Sequence, residues 1–129
     1  MSLGPGWVSG MLQRLSAFLW ADPDVEALVA QASAVYAARR GALVDALAAF
    51  GLAAFAPSGL NVWVPVPDED AAVRALLAEG VSIAAGAPFR LQTPPAVRIT
   101  CAALRVEEAP AVAAALAGAV HPPRRTRAA

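Results

Sequence analysis

The segment from Ser58 to Leu104 constrains the fold most, because glycines and prolines divide it into short apolar pieces. In chain order the predicted pieces are a strand over 60–66, a helix begun by Asp68 and ended by Gly80, a strand over 81–84, a loop over 86–95 with three prolines, and a strand over 96–101. A short strand over 52–56 is predicted before this segment, and a helix over 107–117, ended by Gly118, after it. The order β-β-α-β-β-α predicts an α+β domain with a mostly antiparallel sheet and helices on one face.

Two helices are predicted ahead of this domain. Residues 7–20 place apolar side chains on one helical face. Asp22 and Pro23 then begin a second helix over 24–50, which Gly51 ends. At about 1.5 Å per residue the second helix would be roughly 40 Å long. By its place in the chain it would link the first helix to the α+β domain.

The composition excludes several classes of function. The formal net charge is zero, which gives no electrostatic case for binding nucleic acid or an anionic membrane. Cys101 is the one cysteine, so an internal disulfide is excluded, and the single His121 cannot form a metal site alone. The uncharged stretch between Asp45 and Asp68 contains prolines and cannot be a membrane-spanning helix. We expect a cytoplasmic protein without metal or catalytic residues in this chain.

Arg98 is the candidate binding residue, because it lies in the middle of the last apolar strand. Alternation places Val97, Ile99 and Cys101 on the inner face, and Arg98 and Thr100 on the opposite face. A guanidinium keeps its charge and is costly to bury unpaired. Two interpretations are therefore open: Arg98 extends into solvent from the sheet, which the pattern alone favours, or it awaits an anion such as a ligand carboxylate.

Four other features of the sequence have structural interpretations. Arg90 follows Phe89 in the proline-rich loop and is interpreted as a solvated loop arginine, with the mouth of a site as the alternative. Trp63 is interpreted as a core residue. The acidic run that includes Glu69 is interpreted as charge at a helix start. Cys101 is expected to be a buried, unreactive thiol.

Three motifs carry a resemblance to a known family: GLNVWVPVP at 59–67, GVSIAAGAPF at 80–89 and VRITCA at 97–102. Together they resemble the small, C-terminal domain of class I and II aminotransferases, which are pyridoxal-phosphate proteins of fold type I. The closest resemblance is to the aminotransferase-like domain of MocR-type regulators in the GntR family. It implies that Arg98 binds the α-carboxylate of an amino-acid substrate or effector, for which the planar guanidinium is suited. The loop at 84–88 lacks the family's usual Pro-Gly pair, which leaves the position of Phe89 open.

The resemblance also implies a domain division. Residues 1–22 would be the end of a large domain that is otherwise missing, 23–120 the small domain, and 121–129 a disordered tail. The parent protein would hold pyridoxal phosphate on a lysine of the missing part, as a Schiff base. All ten basic residues of this sequence are arginine, so no cofactor is expected in this chain alone.

The function that the resemblance implies is that of a fragment of a MocR/GntR-type transcriptional regulator. The chain would form one wall of the ligand cleft and would not be catalytic by itself. The alternative is the small domain of a true class I/II aminotransferase. Expected partners are the missing large domain, an amino-acid or PLP-type ligand, and a second copy in a homodimer, whereas DNA would be contacted only through an absent N-terminal domain and no membrane would be bound.

The first helix is also expected to leave apolar surface bare. Its large apolar side chains include Trp7, Met11, Phe18 and Trp20. In a fragment these would lack the domain that covers them, so we expect the helix either to fold back or to mediate self-association.

Overall fold

The computed structural model describes residues 9–121, and the chain divides into two compact units, Met1–Val35 and Tyr36–Ala129. The described part of the first unit contains helix α1 (Gly10–Trp20) and the beginning of helix α2 (Pro23–Ala49). The second unit contains the rest of α2 and every later element. Both helices confirm the predicted pair to within three residues at each end.

The start of α2 follows from its sequence. The Asp22 carboxylate accepts a hydrogen bond from the amide of Asp24 at 2.9 Å, and Pro23 occupies the first helical position, where its missing N–H costs nothing. Gly51, at φ 72°, adopts the left-handed conformation that ends the helix. The predicted boundaries at Asp22 and Gly51 are thus confirmed.

The second unit is built on a three-stranded antiparallel sheet in the order β1-β3-β2. The strands are β1 (Asn61–Pro65), β2 (Ala84–Ala85) and β3 (Ala96–Thr100). Helix α3 (Glu69–Ala78) connects β1 to β2, and helix α4 (Ala109–Val120) follows β3. Short 3-10 turns cover Ala87–Phe89 and Val106–Glu108. The predicted α+β class with an antiparallel sheet is confirmed.

One face of the sheet forms the core with the helices. In the register, Val62 is opposite Ile99 and Val64 is opposite Val97, and all four side chains are buried. The helices contribute further large buried residues to the same cluster: Leu43 and Leu47 from α2, Leu76 from α3, and Val112 and Leu116 from α4. The inner face that alternation predicted for β3 is therefore correct.

The strands are fewer and shorter than the sequence predicted. The expected strand over 52–56 is reduced to a bridge in which Phe55 and Trp63 exchange two backbone hydrogen bonds of 2.8 and 3.0 Å. The strand expected over 81–84 consists of Ala84 and Ala85. β3 is the central strand, because β1 pairs with all five of its residues on one side and the short β2 pairs with two of them on the other.

The prediction that Gly118 ends the last helix is wrong, since α4 continues to Val120. Glycine in a helix costs about 1 kcal/mol relative to alanine. Burial of Leu116 and Ala113 on the core side of α4 offsets that cost, and the amide of His121 still bonds to the Ala117 carbonyl at 2.8 Å. The helix therefore ends where its core contacts end rather than at the glycine.

The predicted division at residue 22 stays a prediction. Of the predicted tail over 121–129 only His121 is described; the other residues, like Trp7, lie outside the described residues. Within the described range, no helix is long and apolar enough to cross a membrane.

Candidate functional site

Arg98 lies on the central strand, on the face of the sheet that is turned away from the core. Its neighbours Val97 and Ile99 are 0% and 4% exposed, whereas Arg98 is half-buried. In the register Arg98 is opposite Trp63 of β1 on one side and Ala84 of β2 on the other. The guanidinium is therefore surrounded by sheet on both sides rather than placed at an edge.

The charge of Arg98 is met by an aromatic ring. Its Cζ atom lies 4.2 Å from the ring centroid of Phe89, which is a close cation–π contact. The Nε of Arg98 is buried and has no hydrogen-bond partner, and no carboxylate pairs with Arg98 within residues 9–121. Of the two interpretations from the sequence, a fully solvated arginine does not describe this side chain.

Trp63 belongs to this surface, not to the core as its sequence context predicted. Its indole is half-buried on the Arg98 face, with the Phe89 ring 6.1 Å away at an interplanar angle of 76°. Further along the same face, the Thr100 hydroxyl donates to Oδ1 of Asn61 at 2.8 Å. The arginine is thus flanked by two aromatic rings and a polar pair, which we call the Arg98 face (Asn61, Trp63, Phe89, Arg98 and Thr100).

The loop over 86–96, called the 86–96 loop below, delivers Phe89 to this face. The amide of Gly86 donates to the Ala96 carbonyl at 2.8 Å, which closes the base of the loop. A Cβ at Gly86 would lie 2.3 Å from the Ala96 oxygen, so the approach requires glycine. Pro88 follows in the 3-10 turn, and Phe89 ends it. The loop places Phe89 against Arg98 without the family's Pro-Gly pair.

Glu69 holds the two ends of the 86–96 loop together. Its carboxylate is buried at 8% exposure and accepts hydrogen bonds from the amide of Ala87 at 2.8 Å and from the amide of Ala96 at 2.9 Å. The Nε of Arg90 lies 3.1 Å from the same carboxylate. Sequence reasoning missed this role and interpreted Glu69 as helix-start charge, although Asp68 is the residue that caps α3, through the amide of Ala71.

The surroundings of Glu69 keep it ionised. Burial alone raises the pKa of the Glu69 carboxyl. The amides of Ala96 and Ala87 and the positive charge of Arg90 together outweigh that effect, and the pKa is lowered from its ordinary value of 4.5. Near neutral pH the carboxylate is therefore a permanent acceptor for the loop amides.

Two further candidates from the sequence, Arg90 and Cys101, have bonding partners within the chain. Arg90 is not a solvated loop residue, because it pairs with Glu69 and its Nη1 donates to the Thr93 carbonyl at 3.2 Å. The Cys101 thiol is buried, as expected, and donates to the Leu60 carbonyl at 3.1 Å. Among the described residues, no group of three His, Cys, Asp or Glu side chains could hold a metal ion.

The comparison with known proteins identifies the family. Residues 2–116 match the protein family described as "Aminotransferase class I and II". The chain belongs to the class I and II aminotransferase family. The resemblance predicted from the three motifs is therefore confirmed.

One relative of this aminotransferase-family chain is a regulator, as the likeness to the MocR subgroup predicted. It is the vitamin B6 salvage pathway transcriptional repressor PtsJ of Salmonella typhimurium (strain LT2), which is 32% identical over 116 residues. The matched region covers 88% of this chain and 27% of the repressor. The chain thus spans about a quarter of the length of this curated relative.

Proposed function

We propose that the chain is the C-terminal small domain of a MocR/GntR-type transcriptional regulator, and that it forms one wall of the effector cleft. Two findings support this proposal. Residues 2–116 belong to the aminotransferase family, and a transcriptional repressor is 32% identical to the chain. A domain of this kind binds a ligand but carries out no reaction alone.

In this proposal Arg98 anchors a carboxylate of the effector. The observation that carries it is a guanidinium with Phe89 against it and no carboxylate partner within residues 9–121. A cation–π contact contributes about 0.5–2 kcal/mol. A charge-assisted hydrogen bond contributes about 1.5–3 kcal/mol, so a ligand carboxylate would be a stronger partner than the ring. The stronger interaction is left for a group from outside the chain.

Pyridoxal phosphate belongs to the parent protein in this proposal. The residues of this chain do not fit covalent attachment of the cofactor, because a Schiff base needs a lysine amine and all ten basic residues are arginine. The lysine would come from the large domain. The part assigned to this chain is to bind and orient the carboxylate of the ligand through Arg98.

The other partners follow from the same proposal. An effector held between Arg98 and the large domain would favour the closed arrangement of the two domains, and closure would be the signal. DNA would be contacted by a separate N-terminal domain of the parent, which would act in the cytoplasm. The net charge of zero agrees with a chain that does not itself bind DNA.

A second candidate is the small domain of a catalytic class I/II aminotransferase, which the family match favours equally. Arg98 would then bind the carboxylate of the substrate. The two functions differ upstream of the large domain. A basic winged-helix segment followed by a linker in the parent's reading frame identifies the regulator, and its absence identifies the enzyme.

The test compares the parent protein with its Arg98→Gln variant by calorimetry. The titrants are pyridoxal phosphate, each of the twenty amino acids, and the amines that correspond to the amino acids that bind. We expect the wild type to prefer the amino acid over its amine, and Arg98→Gln to abolish that preference with an affinity about 10- to 100-fold lower. Arg74→Gln, at an exposed arginine of α3, is the matched control and should bind as the wild type does. Unchanged affinity in Arg98→Gln would refute the anchoring role.

A further inference from the structure

We infer that Glu69 is a positioning residue for Arg98, because its carboxylate fixes both ends of the loop that holds Phe89 against the guanidinium. The inference deepens the proposed function and rests on it only for the consequence for ligand binding. Its geometric part concerns residues within this chain.

The position of the two hydrogen bonds is the first argument. Oε2 accepts from Ala87, two residues before Phe89, and Oε1 accepts from Ala96, two residues before Arg98. One carboxylate therefore joins the start of the turn that carries the ring to the start of the strand that carries the guanidinium. A shift of Glu69 would move one of these backbone segments relative to the other.

The weak packing of Phe89 is the second argument. Its side chain is 54% exposed, and the described ring contacts are those with Trp63 and Arg98. A ring that is more than half exposed is not held by the core, so its place depends on the backbone of the 86–96 loop. The backbone is fixed at its base by Gly86 and by the carboxylate of Glu69.

The burial of Glu69 is the third argument. A carboxylate that only favours a helix N-terminus remains effective on the surface. Glu69 is instead 8% exposed, while the capping role belongs to Asp68. Burial of a charge is costly unless hydrogen bonds compensate it, and the compensating partners here are all in the loop and the strand. The carboxylate is therefore built into the site rather than into the helix end.

The charged groups around Glu69 are few. The 86–96 loop contributes Arg90. Asp68, which caps α3, and Asp70 and Arg74 within α3 are all exposed. Among the elements that pack against α3, β3 contributes Arg98, whereas β2 and α4 have no charged residue. Protonation or replacement of the Glu69 carboxylate can therefore be measured without interference from a second buried acid among these neighbours.

Nuclear magnetic resonance on the full 129-residue chain tests the inference through the Nε–Hε signal of Arg98 and the ring signals of Phe89. In Glu69→Gln one carboxylate oxygen becomes an NH₂ group, which cannot accept from a loop amide. We expect the Arg98 signal to move in the direction that Phe89→Leu moves it, and the Phe89 ring to lose its fixed environment. An Arg98 signal that stays in place in Glu69→Gln, while Phe89→Leu moves it, would overturn the inference.

Glu108→Gln is the matched control. Glu108 also accepts a backbone amide, that of Arg105, and pairs with the Arg105 guanidinium, but it lies before α4 and outside the Arg98 face. We expect it to leave the Arg98 and Phe89 signals unchanged. Core methyl signals of Val62 and Val97 show whether each variant is folded.

A pH titration of the wild type keeps the inference testable if Glu69→Gln does not fold. The carboxyl carbon of Glu69 and the Nε–Hε of Arg98 are followed together while the core methyl signals remain native. A common midpoint for the two signals supports the inference, and an Arg98 signal that is constant while Glu69 titrates overturns it.

Ligand binding by the parent protein separates this inference from the proposed function. With the amino acid that binds the wild type, Glu69→Gln should weaken binding several-fold, by less than Arg98→Gln does. Unchanged binding in Arg98→Gln would refute the proposed anchoring role, and the resonance measurements would still decide whether Glu69 positions Arg98. Weaker binding in Arg98→Gln with unchanged binding in Glu69→Gln would refute the positioning role alone.

Discussion

At the scale of residues, the Arg98 face shows a charge with an incomplete set of partners. Phe89 covers the guanidinium, but an aromatic ring gives Nε no oxygen acceptor. The carboxylate of Glu69, in contrast, has two backbone amides and one guanidinium as partners within 3.1 Å. The contrast between the two charges, one satisfied and one open, is what distinguishes a structural ion from a candidate binding residue.

The satisfied charge predicts how stability depends on pH. The pKa of Glu69 is lower in the folded chain than its ordinary value of 4.5, so its stabilising contribution is present above that value. The contribution is lost as the pH falls through the folded pKa, because the protonated group accepts fewer hydrogen bonds. We expect Glu69→Gln to be less stable than the wild type by about 1–3 kcal/mol at pH 7. Denaturant titration at several pH values should show this difference shrinking in acid, and a pH-independent difference would contradict the argument.

The sequence predicted the face of Arg98 but not the role of Glu69, and the reason is physical. Side chains alternate between the two faces of a strand, so the apolar neighbours Val97 and Ile99 are enough to predict the face of Arg98. The partners of Glu69 lie 18 and 27 residues further along. A glutamate at a helix start is common, and only the fold shows that its carboxylate reaches backbone amides of another element.

At the scale of elements, helices were predicted better than strands. Each of the helices α1 to α4 has its own internal hydrogen bonds, and cap residues such as Asp68 signal where a helix begins. A strand depends on its neighbour. Residues 52–56 lie between Gly51 and Pro57, and the segment pairs only where Phe55 meets Trp63, so propensity alone overestimated this strand.

Two glycines provide a matched pair of substitutions. Gly86→Ala would place a Cβ 2.3 Å from the Ala96 oxygen, and we expect a loss of about 1–3 kcal/mol because the backbone of the loop must shift. Gly118→Ala has open space around the new Cβ and should stabilise α4 by up to about 1 kcal/mol. Unfolding midpoints of the two variants check both signs.

The same pair tests the link between the loop and the Arg98 face. Gly86→Ala should also change the Arg98 Nε–Hε signal, whereas Gly118→Ala should not. A Gly86→Ala chain as stable as the wild type would show that the close approach to Ala96 is not required.

At the scale of the whole molecule, the chain holds one wall of the site that we propose. We expect the isolated 129-residue chain to have no transaminase activity with added pyridoxal phosphate, because it contains no lysine to bind the cofactor covalently. Amino acids should bind it with a dissociation constant of about 1 mM or weaker, since one arginine contributes too little to offset the cost of association. Turnover in a coupled assay, or micromolar affinity by calorimetry, would contradict these expectations.

The first unit predicts self-association. Helix α1 has no buried residue, and its exposed side chains include Met11, Phe18 and Trp20 at 82%, 70% and 89%. A group of large apolar side chains exposed on one helix is typical of an interaction surface. We expect the sedimentation coefficient to rise with concentration, and Phe18→Glu with Trp20→Glu to abolish the rise. A wild-type monomer at all concentrations would refute this prediction.

Two adjacent arginines tie the second half of α2 to the sheet. Nη1 of Arg40 donates to the Gly59 carbonyl at 2.7 Å, just before β1, and Nη1 of Arg39 donates to the Ala102 carbonyl, just after β3. The helix is therefore attached at the entrance of one strand and at the exit of the other. A rotation of this half-helix would therefore move β3 with it, and the guanidinium of Arg98 would change its position together with the strand.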